Sequence, residues 1–226
     1  MKMKYPKKES WVRLSHVLGD DTPAYGGGKG LAIDIVKSMN LGDTCNSVDI
    51  TLSNHLGSHV DSPRHFVKDG ATITDFLISE WVFEKPYVVD IPAIEDEVIT
   101  VSHFEKALDE GCDADLLLVR TGFESRRNTK SYWAEAPAFD PVLAEYLSLK
   151  IPSFKAIGLD SISISSLSHR EMGREAHQAF LRRGIRIFED LSMTSIPQEI
   201  SLKVVIALPL LIKDVDGAPC TIIGLL

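Results

Sequence analysis

Cysteine is scarce in this 226-residue chain: Cys45, Cys112 and Cys220 stand far apart, with no C-x-x-C pair. That excludes a disulfide framework and a zinc ribbon. Three reduced, buried thiols fit a cytoplasmic protein, with Cys45 assigned to packing. No run approaches the roughly 18 apolar residues that a membrane span needs. No apolar segment follows the basic start MKMKYPKK, which reads as a solvated end rather than a secretory signal. Positive charge is also short: 24 Lys and Arg against 32 Asp and Glu leave a net charge of -8. With no basic stripe to reverse it, this charge repels polyanions, so nucleic acid is not an expected partner, and neither is a membrane. The G-x-S-x-G elbow of a serine hydrolase is missing. So is a phosphate loop, because Lys29 in Gly26-Gly27-Gly28-Lys29-Gly30 is followed by glycine rather than Ser or Thr. That glycine stretch is expected to be a mobile loop of the kind that closes over a substrate.

What remains is a globular composition. Hydrophobic residues make up 44% and charged residues 25%, which excludes disorder. At about 150 residues per domain, and without an internal linker or repeat, residues 1–226 read as one domain. The opening is β: Trp11–Leu14, then Leu31–Met39 and Val48–Leu52 as a hairpin around Asn40-Leu41-Gly42-Asp43, the second strand alternating like a half-buried one. Further strands are predicted at Tyr87–Ile91, Leu116–Arg120, Ala156–Leu159, Ile185–Phe188, Val204–Leu208 and Thr221–Leu225. A Ser102-x-x-Glu105 capping box predicts a helix toward Glu110 closed by Gly111. Asp140-Pro141 opens a helix to about Leu149, and Glu171–Arg183 forms another, with Gly184 after it. The class is α/β, with mixed sheets and an antiparallel N-terminal portion.

Chemistry concentrates at His55-Leu56-Gly57-Ser58-His59-Val60-Asp61-Ser62-Pro63-Arg64-His65-Phe66. Three of the chain's seven histidines fall within eleven positions, with an aspartate among them. Imidazole and carboxylate together suit zinc, manganese or iron(II). Gly57 and Pro63 imply a bent loop on which such side chains converge, with Phe66 packed beneath. The pattern is neither the helical H-E-x-x-H nor a zinc finger, so it indicates a metal without naming a substrate.

This stretch resembles the H-x-G-[TS]-H-x-D-x-P-x-H-[FY] signature of the cyclase family, which includes kynurenine formamidases and isatin hydrolases. Thr22-Pro23-Ala24-Tyr25, Arg120-Thr121-Gly122-Phe123, Gly158-Leu159-Asp160-Ser161-Ile162-Ser163, His177 with Glu189, and Asp216-Gly217-Ala218-Pro219 are similar to further family segments. The resemblance implies a swivelling β/β/α fold in a homodimer or homotetramer, and two divalent cations (Zn or Mn) per chain. His55, His59 and Asp61 would bind one cation, and Asp61, His177 and Glu189 the other, with Asp61 and Glu189 bridging. His65 would be the general acid/base, and Tyr25 is the aromatic expected to touch substrate. Tyr25 stands where the formamidases carry tryptophan, and Gly26-Gly27-Gly28 replaces their Pro-Gly, so the substrate is the least determined part.

The expected function is hydrolysis of a carbon–nitrogen bond in a small aryl formamide, such as N-formylkynurenine, or a cyclic amide, such as isatin. The same residues would serve a lactone hydrolase or a cyclase/dehydratase on a small oxo-acid. They would also serve a metal-binding protein without activity, though His65 would then have no purpose beside the ligands. His16, His103 and His169 have no such context, and Arg170–Glu175 reads as a solvated charged face.

Overall fold

The computed structural model describes residues 10–198 and 201–226, so MKMKYPKK lies outside the described residues. In chain order the elements begin with β1 (Trp11–Arg13), β2 (Ala32–Lys37), β3 (Ser47–Thr51), β4 (His59–Asp61), β5 (Val82–Phe83), β6 (Pro86–Asp90) and β7 (Val98–Ile99). They continue with α1 (Val101–Ala107), β8 (Leu116–Arg120), α2 (Ser131–Ala134), β9 (Ala138–Phe139), α3 (Val142–Lys150) and β10 (Ala156–Leu159). α4 (Arg170–Leu181), β11 (Arg186–Glu189), β12 (Val204–Pro209) and β13 (Gly217–Leu225) complete the chain. No helix among the described residues is long and apolar enough to cross a membrane.

The main sheet runs β5-β12-β13-β4-β11-β10-β8-β6, with β1 also paired to β13. β6, β8, β10 and β11 are parallel, while β4, β13, β12 and β5 continue antiparallel. The expected mixed α/β class is what the chain adopts. Residues 116–119 of β8 form an unbroken apolar run because both faces of the strand are covered. Leu117 and Val119 join the core under α1, α3 and α4, whereas Leu116 and Leu118 join the opposite core around Trp81, Phe83 and Phe188.

Several local expectations change. β2 and β3 do form the predicted antiparallel hairpin, but it is a separate two-stranded sheet exposed along its whole length. Its register gathers Ile33, Ile35, Val48 and Ile50 on one face. Period-two alternation reports two-sidedness, not what covers each side. Helix α1 starts earlier than the Ser102 capping box implies. The Thr100 backbone N–H donates to Nδ1 of His103, so Thr100 caps, and the helix ends at Ala107, where Leu108 turns extended and enters the core. Cys112 and Cys220 are buried as expected, but Cys45 is exposed, because it lies in the hairpin's connection.

β11 carries an unexpected cation. Arg186 is 2% exposed, with its guanidinium 4.9–5.3 Å from the rings of Phe76, Trp81 and Phe83. Nη1 donates to the Glu80 carbonyl at 2.6 Å, while Nε has no partner. The side chain therefore acts chiefly as filling between rings. Arg186→Ala is expected to cost about 3 kcal/mol of unfolding free energy, from the cavity and the lost cation–π contacts. Arg186→Met should cost less than half as much, because it refills the space and removes the orphaned N–H. Urea titrations would decide; equal losses in the two variants would locate the effect in the charge.

Candidate active site

The histidine cluster is not one bent loop. Its centre, His59-Val60-Asp61, is β4, held between β11 and β13, and only its flanks bend. Alternation along a strand places His59 and Asp61 on one face and Val60 in the core behind them. Register sets Glu189 of β11 opposite His59, and Gly217 of β13 opposite Asp61. Gly217 is needed for space: a Cβ there would lie 2.4 Å from Cε1 of His55. His177 arrives from α4.

His59, Asp61, His177 and Glu189 are all buried, and their polar atoms form a closed ring. Nε2 of His59 lies 3.5 Å from Asp61 Oδ1 and 3.4 Å from Glu189 Oε2. Nε2 of His177 lies 3.5 Å from Asp61 Oδ2 and 3.5 Å from Glu189 Oε1. Among the described residues His55, His59 and Asp61 bring three ligand atoms within 4.8 Å of one another, and Asp61, His65 and His177 do the same, imidazole and carboxylate sets of the kind that suit a divalent ion. Each imidazole of the ring also donates from Nδ1 to a backbone carbonyl: His59 to Gly57 and His177 to Gly173, both at 2.8 Å. These bonds direct Nε2 into the ring, the second support that ligating histidines commonly have. Ser163 Oγ and the Ile164 N–H both donate to Glu189 Oε1, at 2.9 and 2.7 Å.

Without a cation the ring is an ion-pair network. Burial works to lower the pKa of both imidazoles, but hydrogen bonds to Asp61 and Glu189 outweigh it, lifting His59 well above its usual value and His177 to about 10. Burial works to raise both acids. Hydrogen bonds from His177, His55 and His59 nevertheless hold Asp61 well below the usual carboxylate range, and those from His177 and His59 bring Glu189 to about 2.

His55 and His65 sit beside this ring, 4.1 Å apart between ring centroids. Nδ1 of His55 lies 2.7 Å from Asp61 Oδ1, and its Nε2 lies 3.0 Å from Asp216 Oδ2. His65 donates from Nδ1 to Asp216 Oδ2 at 2.7 Å, leaving Nε2 to accept a proton. Asn54 donates to the other Asp216 oxygen at 2.7 Å. Phe66 stacks on His177 at 4.6 Å and meets His65 edge-on, as a support beneath the cluster would. All six predicted polar site residues, together with Tyr25, line one cavity of about 250 Å³. The Tyr25 hydroxyl accepts from Ser165 Oγ at 3.1 Å.

Sequence reasoning missed the tethers. In the sequence Asp216 stands out only as part of a motif, yet it grips two histidines; an acid directly before Gly-Ala-Pro at a strand start is the available signal. Asp190, next to Glu189, has a positive φ of 53° and is clamped by Arg127 through both carboxylate oxygens at 2.8 Å and by the Tyr132 hydroxyl at 2.5 Å. Those partners are 58 and 63 residues away, so no local pattern reveals them. His16 and His103 stay outside the cavity: His103 is tied to Thr100, and His16 lies 3.8 Å from Glu124.

A kynurenine formamidase from Bacillus anthracis is 29% identical over 218 residues, covering 94% of this chain and 96% of the relative. An isatin hydrolase bound to the product analogue thioisatinate superposes with a TM-score of 0.78 at 19% identity, over 96% of this chain and 92% of that one. Isatin hydrolase A from Labrenzia aggregata, bound to benzyl benzoate, gives 0.79 at 20% identity, over 96% and 93%. At those identities the two structures establish a shared fold. The Cyclase family model matches residues 12–166, well over half of the 226-residue chain, and the chain belongs to the cyclase family.

Proposed function

We propose that this chain, working as one domain, is a metal-dependent hydrolase that cleaves a carbon–nitrogen bond in a small amide. The observation that carries the reading is the ring of two carbonyl-anchored imidazoles and two carboxylates, with the His65–Asp216 pair beside it in one cavity. The kynurenine formamidase relative supports an amide substrate. In this reading His55, His59 and Asp61 hold one divalent cation, Zn or Mn, and Asp61, His177 and Glu189 hold a second. Such a cation, when bound, polarises a carbonyl and makes water acidic near neutral pH. His65 moves the proton between attacking water and leaving nitrogen through Nε2, while Asp216 fixes its tautomer and direction. Tyr25 contacts the substrate across the cavity. The uncovered apolar face of the β2–β3 hairpin supports a homodimer or homotetramer.

Elemental analysis of the purified full chain, paired with cleavage of N-formylkynurenine and isatin before and after chelation, tests this. The expected result is about two cations per chain and activity restored by Zn or Mn. A chain that neither holds nor takes up metal would overturn the proposal.

The metal-stripped protein should reveal its ion-pair ring through pH. His177 is raised from 6.5 to about 10, so its stabilising contribution is complete below 6.5 and lost as pH rises toward 10. Glu189 is depressed from 4.5 to about 2, so its contribution is complete above 4.5 and lost as pH falls toward 2. Thermal unfolding of the stripped chain is therefore expected to show maximal stability from these groups between pH 4.5 and 6.5. A midpoint that keeps rising from pH 6.5 to 9 would contradict the paired ring.

A further inference from the structure

Arg170, Arg174 and His177 stand along one side of α4, four and then three residues apart. Both arginines line a second cavity, of about 400 Å³, which shares Tyr25, Phe66, Ser165 and His177 with the candidate active site. Part of the stretch Arg170–Glu175, expected to be only a solvated face, thus borders the site. Leu167 and Phe66 give this annex an apolar wall.

The charge there is largely uncommitted. Arg174 meets Glu171 at 3.0 Å, but the two side chains are 60% and 79% exposed, where such a pair is weak. Among the described residues no carboxylate lies within ion-pair distance of Arg170. Two cations in a neighbouring cavity, which shares Pro23 with the candidate active site, are already engaged: Arg127 by Asp190, and Lys130 over the Trp133 ring. A chain of net charge -8 repels anions at long range, and two guanidiniums at the annex oppose that repulsion locally. A neutral lactam or formamide has no use for them. A planar guanidinium fork matches a carboxylate.

We propose that Arg170 and Arg174 form a carboxylate-binding subsite, so that the preferred substrate is an amide carrying an anionic group a few bonds from the cleaved carbon–nitrogen bond. This deepens the hydrolase reading above and rests on it. The apolar body of the substrate lies along Phe66 and Leu167, with the amide toward the imidazole–carboxylate ring.

The test uses two formamides that differ in charge: 3-formamidobenzoate and its methyl ester, with amide cleavage followed in the metal-loaded full chain. The unmodified protein should favour the carboxylate in kcat/KM, mainly through KM, and added salt should weaken that preference. In the double variant Arg170→Gln/Arg174→Gln the carboxylate-to-ester ratio is expected to fall at least about tenfold, as loss of a charge-assisted contact implies. The double lysine variant, which keeps the charge, should recover part of it. An unmodified protein without the preference, or a glutamine variant with an unchanged ratio, would overturn the subsite while leaving the hydrolase reading intact. Cleavage of neither compound, nor of N-formylkynurenine or isatin, would bring down the hydrolase reading and this inference with it.

Discussion

His65→Ala is expected to lower amide turnover by about 10²–10⁴-fold while leaving both cations bound, the size of effect a positioned proton carrier supplies. The reasoning starts from its contacts. His65 has one short polar bond, from Nδ1 to Asp216, and is more exposed than His59 or His177, with 26% of its side chain in solvent against 5% and 6%. It lies outside the ring in which His59 and His177 alternate with Asp61 and Glu189. A residue outside the ring can be removed without dismantling it. Cation content measured beside the rate separates proton transfer from metal binding. Near-full turnover with both cations present would remove His65 from the chemistry; loss of a cation would make it a ligand instead.

Much of this site was legible because its parts are local. His55, His59, Asp61 and His65 fall within eleven positions, and a three-residue strand explains why the central pair is H-x-D: alternate residues share a face. His177 and Glu189 were reachable only through the family resemblance. A helix residue and a strand-end acid converge on β4 through register, which no spacing rule encodes. The same limit hid Asp216, 151 residues from His65, and the Arg127–Asp190 clamp. The buried strands Leu116–Arg120 and Ala156–Leu159 were readable to the residue because continuous apolar runs need cover on both faces. The hairpin shows the converse. An apolar, β-branched run identified β2 and alternation identified β3, but burial depends on what packs against a face, and no described part of this chain does so. Arg186 shows how tertiary context overrides residue type: a cation sits in a β-strand core because three rings and one carbonyl surround it.

The larger effect is expected at Asp61. It is 1% exposed, and its two oxygens reach His55, His59 and His177, more histidines than any other acid in the cavity reaches. Asn keeps nearly the same shape but removes the charge and replaces one acceptor oxygen with an N–H donor. Glu189 would then face His59 and His177 alone, and a cation would lose the carboxylate common to both halves of the ring. Asp61→Asn is therefore expected to lower kcat/KM by about 10³-fold or more, a loss of roughly 4 kcal/mol in transition-state stabilisation. Cation content should fall with it. Restoring metal to large excess should recover little of the rate, because the remaining donors cannot hold two cations in one geometry. Measuring kcat/KM against metal concentration distinguishes this from simple weakening, in which saturation would return full activity. A variant that binds two cations and retains its rate would show that Asp61 is a structural acid, and would transfer the bridging role to Glu189, the other carboxylate that reaches both His59 and His177.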